Sequence, residues 1–583
     1  MAKGKRPFQR VKAEQPSGRV ARTKGQTLTT HQVGVLPMLN GILEQMRVAE
    51  LLEAYLPRED KRTKLRTPRV IMLLIRNLLV SRQPMYGVGE WAAGYAPDLL
   101  GLSATDLEFL NDDRAGRALD RLFRGDRSSL VLAVATHVVK HFQIDLDQLH
   151  NDSTTVSFFG AYDAQGEESR DPNGPGLFIT WGHSKDHRPD LKQLLYILTV
   201  ARDGGTPVHF RAASGNVTDD TTHRDTWELL CALAGRRDFL YVADCKLATT
   251  ENMNYLHRNG GRFITVLPRT RKEEAAFRER LGKGEVVWEL LFDKMDEDGQ
   301  VVDQFSVYRE PCLSQEGFRI LWFCSTRKAQ LDAMSRANRL NRATDKLRDL
   351  QDRLLSPRAR IRSTEKATDA ALEIVRHAGV EGLITLKVSE RSLEEYKQER
   401  RGRPSKETRY VKAVRTYCSL AYEVNTPALA REAKSDGIFP LITNVESLDT
   451  REVLEAYKNQ PLVEKRFSQL KTDFRVAPVY LKSVRRIEAL LCVYFFVLMA
   501  EALLERELRQ AMKRKEVASV PLYPERRPCR HPTTRKLIDL FEGVERHTLQ
   551  AGGGKPVRLV TELSRVQRKV LQLLGLPTKD YGT

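Results

Sequence analysis

The chain has little of what staples small secreted domains or crosses membranes. Its seven cysteines (Cys231, Cys245, Cys312, Cys324, Cys418, Cys492, Cys529) are scattered, odd in number and include no C-x-x-C pair. That argues against a disulfide framework and a cysteine zinc site, and it fits a reducing cytoplasm. The opening MAKGKRPFQRVKAEQPSGRVARTKG holds no apolar run, so it does not read as a secretory signal. The longest apolar stretch, ALLCVYFFVLMA from Ala489 to Ala500, is too short to span a bilayer and lies between Glu488 and Glu501. It reads as a buried core helix, and no membrane partner is expected. There are no internal repeats. Acidic residues are the last shortage: 76 Asp and Glu face 95 Lys and Arg, a formal charge of +19. Such a surplus favours a polyanionic partner, with nucleic acid first among candidates.

What is present suggests several structural units, since 583 residues exceed one core. Residues 1–35 read as a basic disordered arm and 36–145 as an all-α unit, from the helical spacing of LPMLNGILEQMRVAELLEAYL, PRVIMLLIRNLLVS, DRAGRALDRLF and SLVLAVATHVVKHF. Ahead of a catalytic core in so basic a chain, that unit is a reasonable DNA-binding domain, with a structural or dimerising role as the alternative. From 146 to 270 the period changes to strands: QLHNDSTTVSFFGAY, LLYILTVARDGG, PVHFRAASGN, FLYVADCKL and RFITVLPR, with one helix at THRDTWELLCALAG. The order is not the repeating βαβ of a dinucleotide fold. Residues 271–436 form an α+β insertion, 437–510 resume the core with a strand (GIFPLITN) and helices, and 511–583 form a basic C-terminal region with a weak helix near Leu563–Leu574.

Three carboxylates stand out. Asp152 interrupts a strand of β-branched residues, and Asp244 ends the strand YVAD. Asp is depleted in strands, so each placement needs a reason, whether a turn or cap or a ligand role. Glu464 lies on a later helix, in AYKNQPLVEKRFSQLK. On one continuous helix Tyr457, Gln460, Glu464 and Lys471 fall within roughly a 60° sector of one face. Carboxylates from three separate elements suit a pair of Mg²⁺ ions, which take oxygen ligands and can serve both the attacking and the leaving oxygen of a phosphoryl displacement.

This set resembles the DDE triad of bacterial insertion-sequence transposases. Tyr457, Glu464 and Lys471 match the Y-(2)-R-(3)-E-(6)-K signature of the IS-four group, and Gln460 departs from its arginine. GHSKDHRPDLKQ (182–193), a later GN-x-x-D-D and G-x-F-P-L-I-T-N are similar to a branch of that group. The resemblance spans roughly 36–510. It implies a multidomain α/β protein whose ribonuclease-H-like core, a mixed sheet with flanking helices, is interrupted by the insertion. It also implies catalytic and metal-binding roles for Asp152, Asp244 and Glu464, and two Mg²⁺ ions per site, with Mn²⁺ as a substitute. The implied activity is cleavage at element ends and transfer of 3′-hydroxyl ends into a target. The implied partners are double-stranded DNA, as terminal inverted repeats and target, and further copies of the chain, a homodimer or larger on DNA. A bacterial cytoplasmic, nucleoid-associated location follows. Two rivals stay open: a catalytically silent DNA-binding repressor, and a nuclease without strand transfer.

Tyr457, Gln460 and Lys471 are the expected DNA contacts near the cut. Lys185, His187 and Arg188 of the basic stretch, and Arg401 and Arg403 of RGRP, are further candidates; the last pair suits a narrow A·T minor groove. Pro461 should start or kink its helix. Asp219 and Asp220 read as helix caps. Trp288 and Trp322 read as core residues, with stacking on an extruded base as the alternative.

Overall fold

The computed structural model describes residues 18–581 except 24, 161, 163–175, 187, 297, 357–358, 474–480, 524 and 552–553. The chain divides into two compact units. The first comprises residues up to 265 and from 452 onward, and the second comprises 266–451.

The first unit opens with an antiparallel hairpin, β1 (Arg19–Thr23) and β2 (Gln26–Gln32). The expectation of a disordered arm is therefore corrected for this segment, while residues 1–17 lie outside the described residues. Helices follow: α1 (Leu36–Gln45), α2 (Val48–Tyr55), α3 (Thr67–Val80), α4 (Val88–Ala93), α5 (Ala104–Leu107), α6 (Asp112–Arg124) and α7 (Arg127–Phe142). Asn111 and Asp126 cap α6 and α7 by accepting backbone N–H bonds of the first turn.

The sheet that carries the site comes next. Its strands are β3 (Gln148–Phe158), β4 (Lys192–Ala201), β5 (Thr206–Ser214), β6 (Leu240–Ala243) and β7 (Arg262–Val266). Helix α8 (His223–Ala234) precedes β6, and α9 (Thr250–Arg258) links β6 to β7. β5, β4 and β3 pair antiparallel, and β3, β6 and β7 pair parallel. β4 and β6 are buried at every position, as the apolar runs LLYIL and LYVA within them require of strands covered on both faces. A mixed sheet with flanking helices fits a ribonuclease-H-like α/β core.

The second unit holds α10 (Lys272–Lys283), β8 (Trp288–Met295), β9 (Val301–Tyr308), β10 (Cys312–Leu313), β11 (Arg319–Ser325), α11 (Thr326–Leu355), α12 (Thr364–Ala378), β12 (Ile384–Gln398), β13 (Tyr410–Val424), α13 (Thr426–Ala433) and β14 (Ile438–Thr443). β8, β9, β11 and β14 pair antiparallel in that order. β14, expected to resume the core, pairs with β11. Trp322 is 2% exposed and stacks on Phe277 at 3.7 Å, with Trp288 edge-on to the same ring; both tryptophans pack inside the unit. α11 and α12 bury a seam (Leu347, Leu354, Ala371, Val375) against Cys418 and Leu420 at the base of the β12–β13 hairpin. The distal half of that hairpin runs in register to Gln398↔Tyr410 and is largely exposed.

Back in the first unit come α14 (Thr450–Tyr457), α15 (Pro461–Ser468), a π-turn (Gln469–Asp473) and α16 (Val484–Arg514). α16 is long and apolar enough to cross a membrane, but 89% of its apolar window is buried within the protein, as a core helix should be. α17 (Thr534–Phe541), β15 (Glu545–Ala551), β16 (Val557–Val560) and α18 (Arg565–Leu574) complete the chain. β15 pairs with β2, so the two ends of the chain share one four-stranded sheet, in the order β1-β2-β15-β16.

Candidate active site

The strand register brings the first two carboxylates together. β3 and β6 run parallel with Asn151 beside Ala243. The next residue on each is Asp152 and Asp244, at the C-terminal end of β6, on neighbouring strands about 4.8 Å apart. The ends of parallel strands are where α/β sheets place their sites, because no further strand residues crowd the opening.

Glu464 arrives from α15, which β3 holds by a polar clasp. Gln148, His150 and Asp152 alternate onto one face of β3. The Gln148 amide donates to Ala456 O at 2.8 Å, His150 Nδ1 meets Gln460 Oε1 at 3.0 Å, and the Gln460 amide donates to Asn151 O at 3.3 Å. Burial, opposed by the Gln460 contact, pushes His150 down to about 4, so this imidazole is neutral near pH 7. The far side of α15 is fixed by Arg466, whose guanidinium donates to Gly204 O and Gly205 O in the β4–β5 turn and pairs with Glu505 of α16.

The clasp corrects two expectations. The helix is not continuous: Pro461 occupies the first turn of α15, and i+3 bonds from Gln460 N to Tyr457 O and from Val463 N to Gln460 O bridge the junction. Proline has no N–H to continue the ladder, so the chain tightens and restarts. Lys471 then sits in the π-turn, past the end of α15. Tyr457, Gln460, Glu464 and Lys471 therefore do not share one helix face. Gln460 is 7% exposed with its amide used internally, which gives it a packing role in the free protein.

The Tyr457 phenol lies within electrostatic reach of all three carboxylates. Burial raises its pKa, and the charges of Asp244, Glu464 and Asp152 raise it further. Asp152 is pushed up to about 6 by burial, with Asp244 adding repulsion and Lys185 opposing both. The Lys185 ammonium donates to Ser153 O at 2.7 Å and Ser153 Oγ at 2.8 Å, and pairs with Asp219 at 3.0 Å and Asp152 at 3.3 Å. Burial opposes this charge, but Asp152, Asp219 and Asp244 outweigh it and hold Lys185 above the usual lysine range.

Asp219 is a site residue that the sequence concealed. Its carboxylate caps no helix and accepts from Ser153 Oγ at 2.7 Å instead. Lys471 is paired with Asp186, whose other oxygen accepts from Thr155. Arg188 is exposed, pairs with Asp190 and lies over the Phe159 ring, and His187 lies outside the described residues. Arg401 and Arg403 are exposed in the turn between β12 and β13, in the second unit.

Among the described residues no group of three His, Cys, Asp or Glu side chains is gathered tightly enough to hold a metal ion. The donors still suit one. They are carboxylate oxygens, which hard divalent cations prefer, and the place beside Asp152 already draws a cation, the Lys185 ammonium.

One consequence is measurable without metal. Asp152 binds its proton more tightly folded (about 6) than at its ordinary value of 3.8, so stability falls as pH rises through that window. In metal-free buffer near neutral pH, Asp152→Asn is expected to raise stability, by at most about 3 kcal/mol. Below the ordinary carboxylate range the advantage disappears. Thermal melts in chelator at both pH values check this, and an Asn variant less stable than wild type at neutral pH contradicts it.

The family model described as "Transposase DDE domain" matches residues 149–500, more than half of the chain, and a domain of unknown function, DUF4277, matches 28–136. The chain belongs to the DDE transposase domain family, whose members generally use divalent metal ions. No curated protein matches. Among solved structures it is similar to a piggyBac transposase in a synaptic complex with hairpin DNA, at 10% identity and a TM-score of 0.23, covering 50% of this chain and 59% of that one.

Proposed function

We propose that this chain is an insertion-sequence transposase that cuts DNA at element ends and joins the freed 3′-hydroxyl ends to a target. What supports the reading is the family match over residues 149–500 together with the register that sets Asp152 beside Asp244 at the end of β6. Asp152, Asp244 and Glu464 would hold divalent cations, Mg²⁺ or Mn²⁺ and two per site. Bound there, these supply charge neutralisation for an in-line displacement at phosphorus. The remaining work falls to side chains. Glu464 is exposed on α15, so the DNA strand has access to it. Lys471 holds a phosphate beside the cut, and Tyr457 stays a neutral phenol near the carboxylates. The attacking oxygen is water for cutting and a DNA 3′-hydroxyl for joining, so one site serves both steps. The chain would act as a homodimer or larger assembly on paired ends, with the helices of 36–142 contributing DNA affinity.

The purified protein with Mg²⁺ and DNA flanking its own gene should yield cut ends and then joined products, and chelator should abolish both. Equal products with chelator present would contradict the reading.

The hairpin tip adds a second expectation. Arg400, Arg401, Arg403, Lys406 and Arg409 are exposed within ERRGRPSKETR, which places a concentrated positive charge at the end of a long two-stranded arm. Replacing Arg401 and Arg403 together by Gln should weaken DNA binding and flatten its salt dependence, by about 0.9 in log–log slope for each phosphate no longer neutralised. An unchanged slope, measured by fluorescence anisotropy over a salt series, removes these residues from the interface.

A further inference from the structure

The segment Ser184–Asp186 places opposite charges on the two halves of the site. Lys185 points into the carboxylates, anchored by Ser153 and Asp219 more closely than by Asp152. Its neighbour Asp186 is turned outward onto Lys471, with one oxygen on the ammonium at 2.5 Å and the other on Thr155 Oγ1 at 3.3 Å. The segment is also fixed from behind. Gln193 donates to His183 O at 3.2 Å and to Gly215 O at 2.9 Å, and a Cβ on Gly182 would collide with Gly215 O. Asp186 is therefore held where it is by its neighbours. It presents one carboxylate oxygen to Lys471, as a phosphate oxygen would be presented, while its other oxygen is held by Thr155.

We infer that Asp186 is a built-in phosphate mimic, occupying Lys471 in the free protein and displaced when a DNA phosphate arrives. The inference rests on the reading of Lys471 as a phosphate contact. Its result is a threshold: DNA must compete with an internal carboxylate that Lys185 keeps in position, so Lys471 is released only to a strand lying across the site. Lys185 acts here as a positioning residue, through its grip on Ser153 and Asp219.

The test uses full-length protein in chelator, so that no cleavage intervenes, and a short labelled duplex followed by anisotropy. The Lys471–Asp186 pair is about one-third exposed (30% and 36%), so freeing Lys471 by Asp186→Asn should tighten binding about two- to fivefold. Asp190→Asn removes the same charge from the same segment but frees only Arg188, and should change binding less. In a Lys471→Met background, Asp186→Asn should no longer tighten binding. The inference is overturned if Asp186→Asn binds like wild type, if Asp190→Asn gains as much, or if the gain survives without Lys471. Failure of every protein to bind DNA overturns the DNA reading itself and this competition with it, a result distinct from normal binding with no Asp186 effect.

Discussion

Glu464→Gln is expected to cut DNA about a thousandfold more slowly than wild type, or worse, while binding it equally well. The magnitude follows from the several kcal/mol of transition-state charge stabilisation that a bound cation supplies, at about 1.4 kcal/mol per tenfold in rate. A glutamine keeps the shape and one oxygen but not the charge that holds the cation. Binding should survive because Glu464 is exposed and supports no part of the fold. The same logic gives Asp244→Asn a comparable loss, since its position at the end of β6 is set by backbone pairing. Single-turnover cleavage beside anisotropy on the same preparations separates the two effects. A variant that cuts at wild-type speed removes Glu464 from the chemistry. One that neither binds nor melts normally shows a structural role instead.

Glu505→Gln is expected to destabilise the protein by about 3–5 kcal/mol, the usual cost of leaving a buried charge without its partner. Glu505 is fully buried and Arg466 is 1% exposed. Burial alone would raise the Glu505 pKa, but Arg466, Lys465 and Arg509 hold it below the usual carboxylate range. Removing its charge takes from the buried Arg466 its ion-pair partner, leaving it the charge of Glu501 and the carbonyls of Gly204 and Gly205 where α15 meets the β4–β5 turn. Because Glu464 is two residues from Arg466, cleavage should fall along with stability. Replacing both partners, as Arg466→Met with Glu505→Leu, should recover part of the stability, since the fully buried guanidinium is gone and the cations that lose Glu505, Lys465 and Arg509, are partly exposed. Denaturant melts test both variants. A Glu505→Gln protein as stable as wild type would show that water or another group compensates Arg466.

The residues that set the site differ in how far the sequence exposes them. Asp152 and Asp244 stand out because an aspartate in or beside an apolar, β-branched run is conspicuous; Asp152 lies on β3 and Asp244 one residue past the end of β6. The start of α15 was legible from Pro461 alone. The common helix face was not, because a periodicity argument assumes an unbroken ladder, and Pro461 and the π-turn at 469–473 break it at both ends. Gln460 looked like a DNA contact because it stands where the signature has arginine; only the fold reveals His150 and Asn151 facing it. Asp219 stayed hidden because its partner Ser153 is 66 residues away, and an aspartate before a helical pattern reads as a cap by default. The same distance problem hid β1 and β2. Their polar sequence has little apolar alternation, and their pairing partner β15 lies near the other end of the chain, where Thr30 Oγ1 meets His547 across 517 residues.

The central claim is that carboxylates from β3, the end of β6 and α15 form one cation site, and counting bound metal tests it most directly. Mn²⁺ titrated into the protein–DNA complex can be followed by electron paramagnetic resonance, for wild type and for Asp152→Asn, Asp244→Asn and Glu464→Gln. The account predicts tight Mn²⁺ binding by wild type and a similar loss in all three variants, because each removes one wall of the same site. Undiminished Mn²⁺ binding in any one of the three would contradict it.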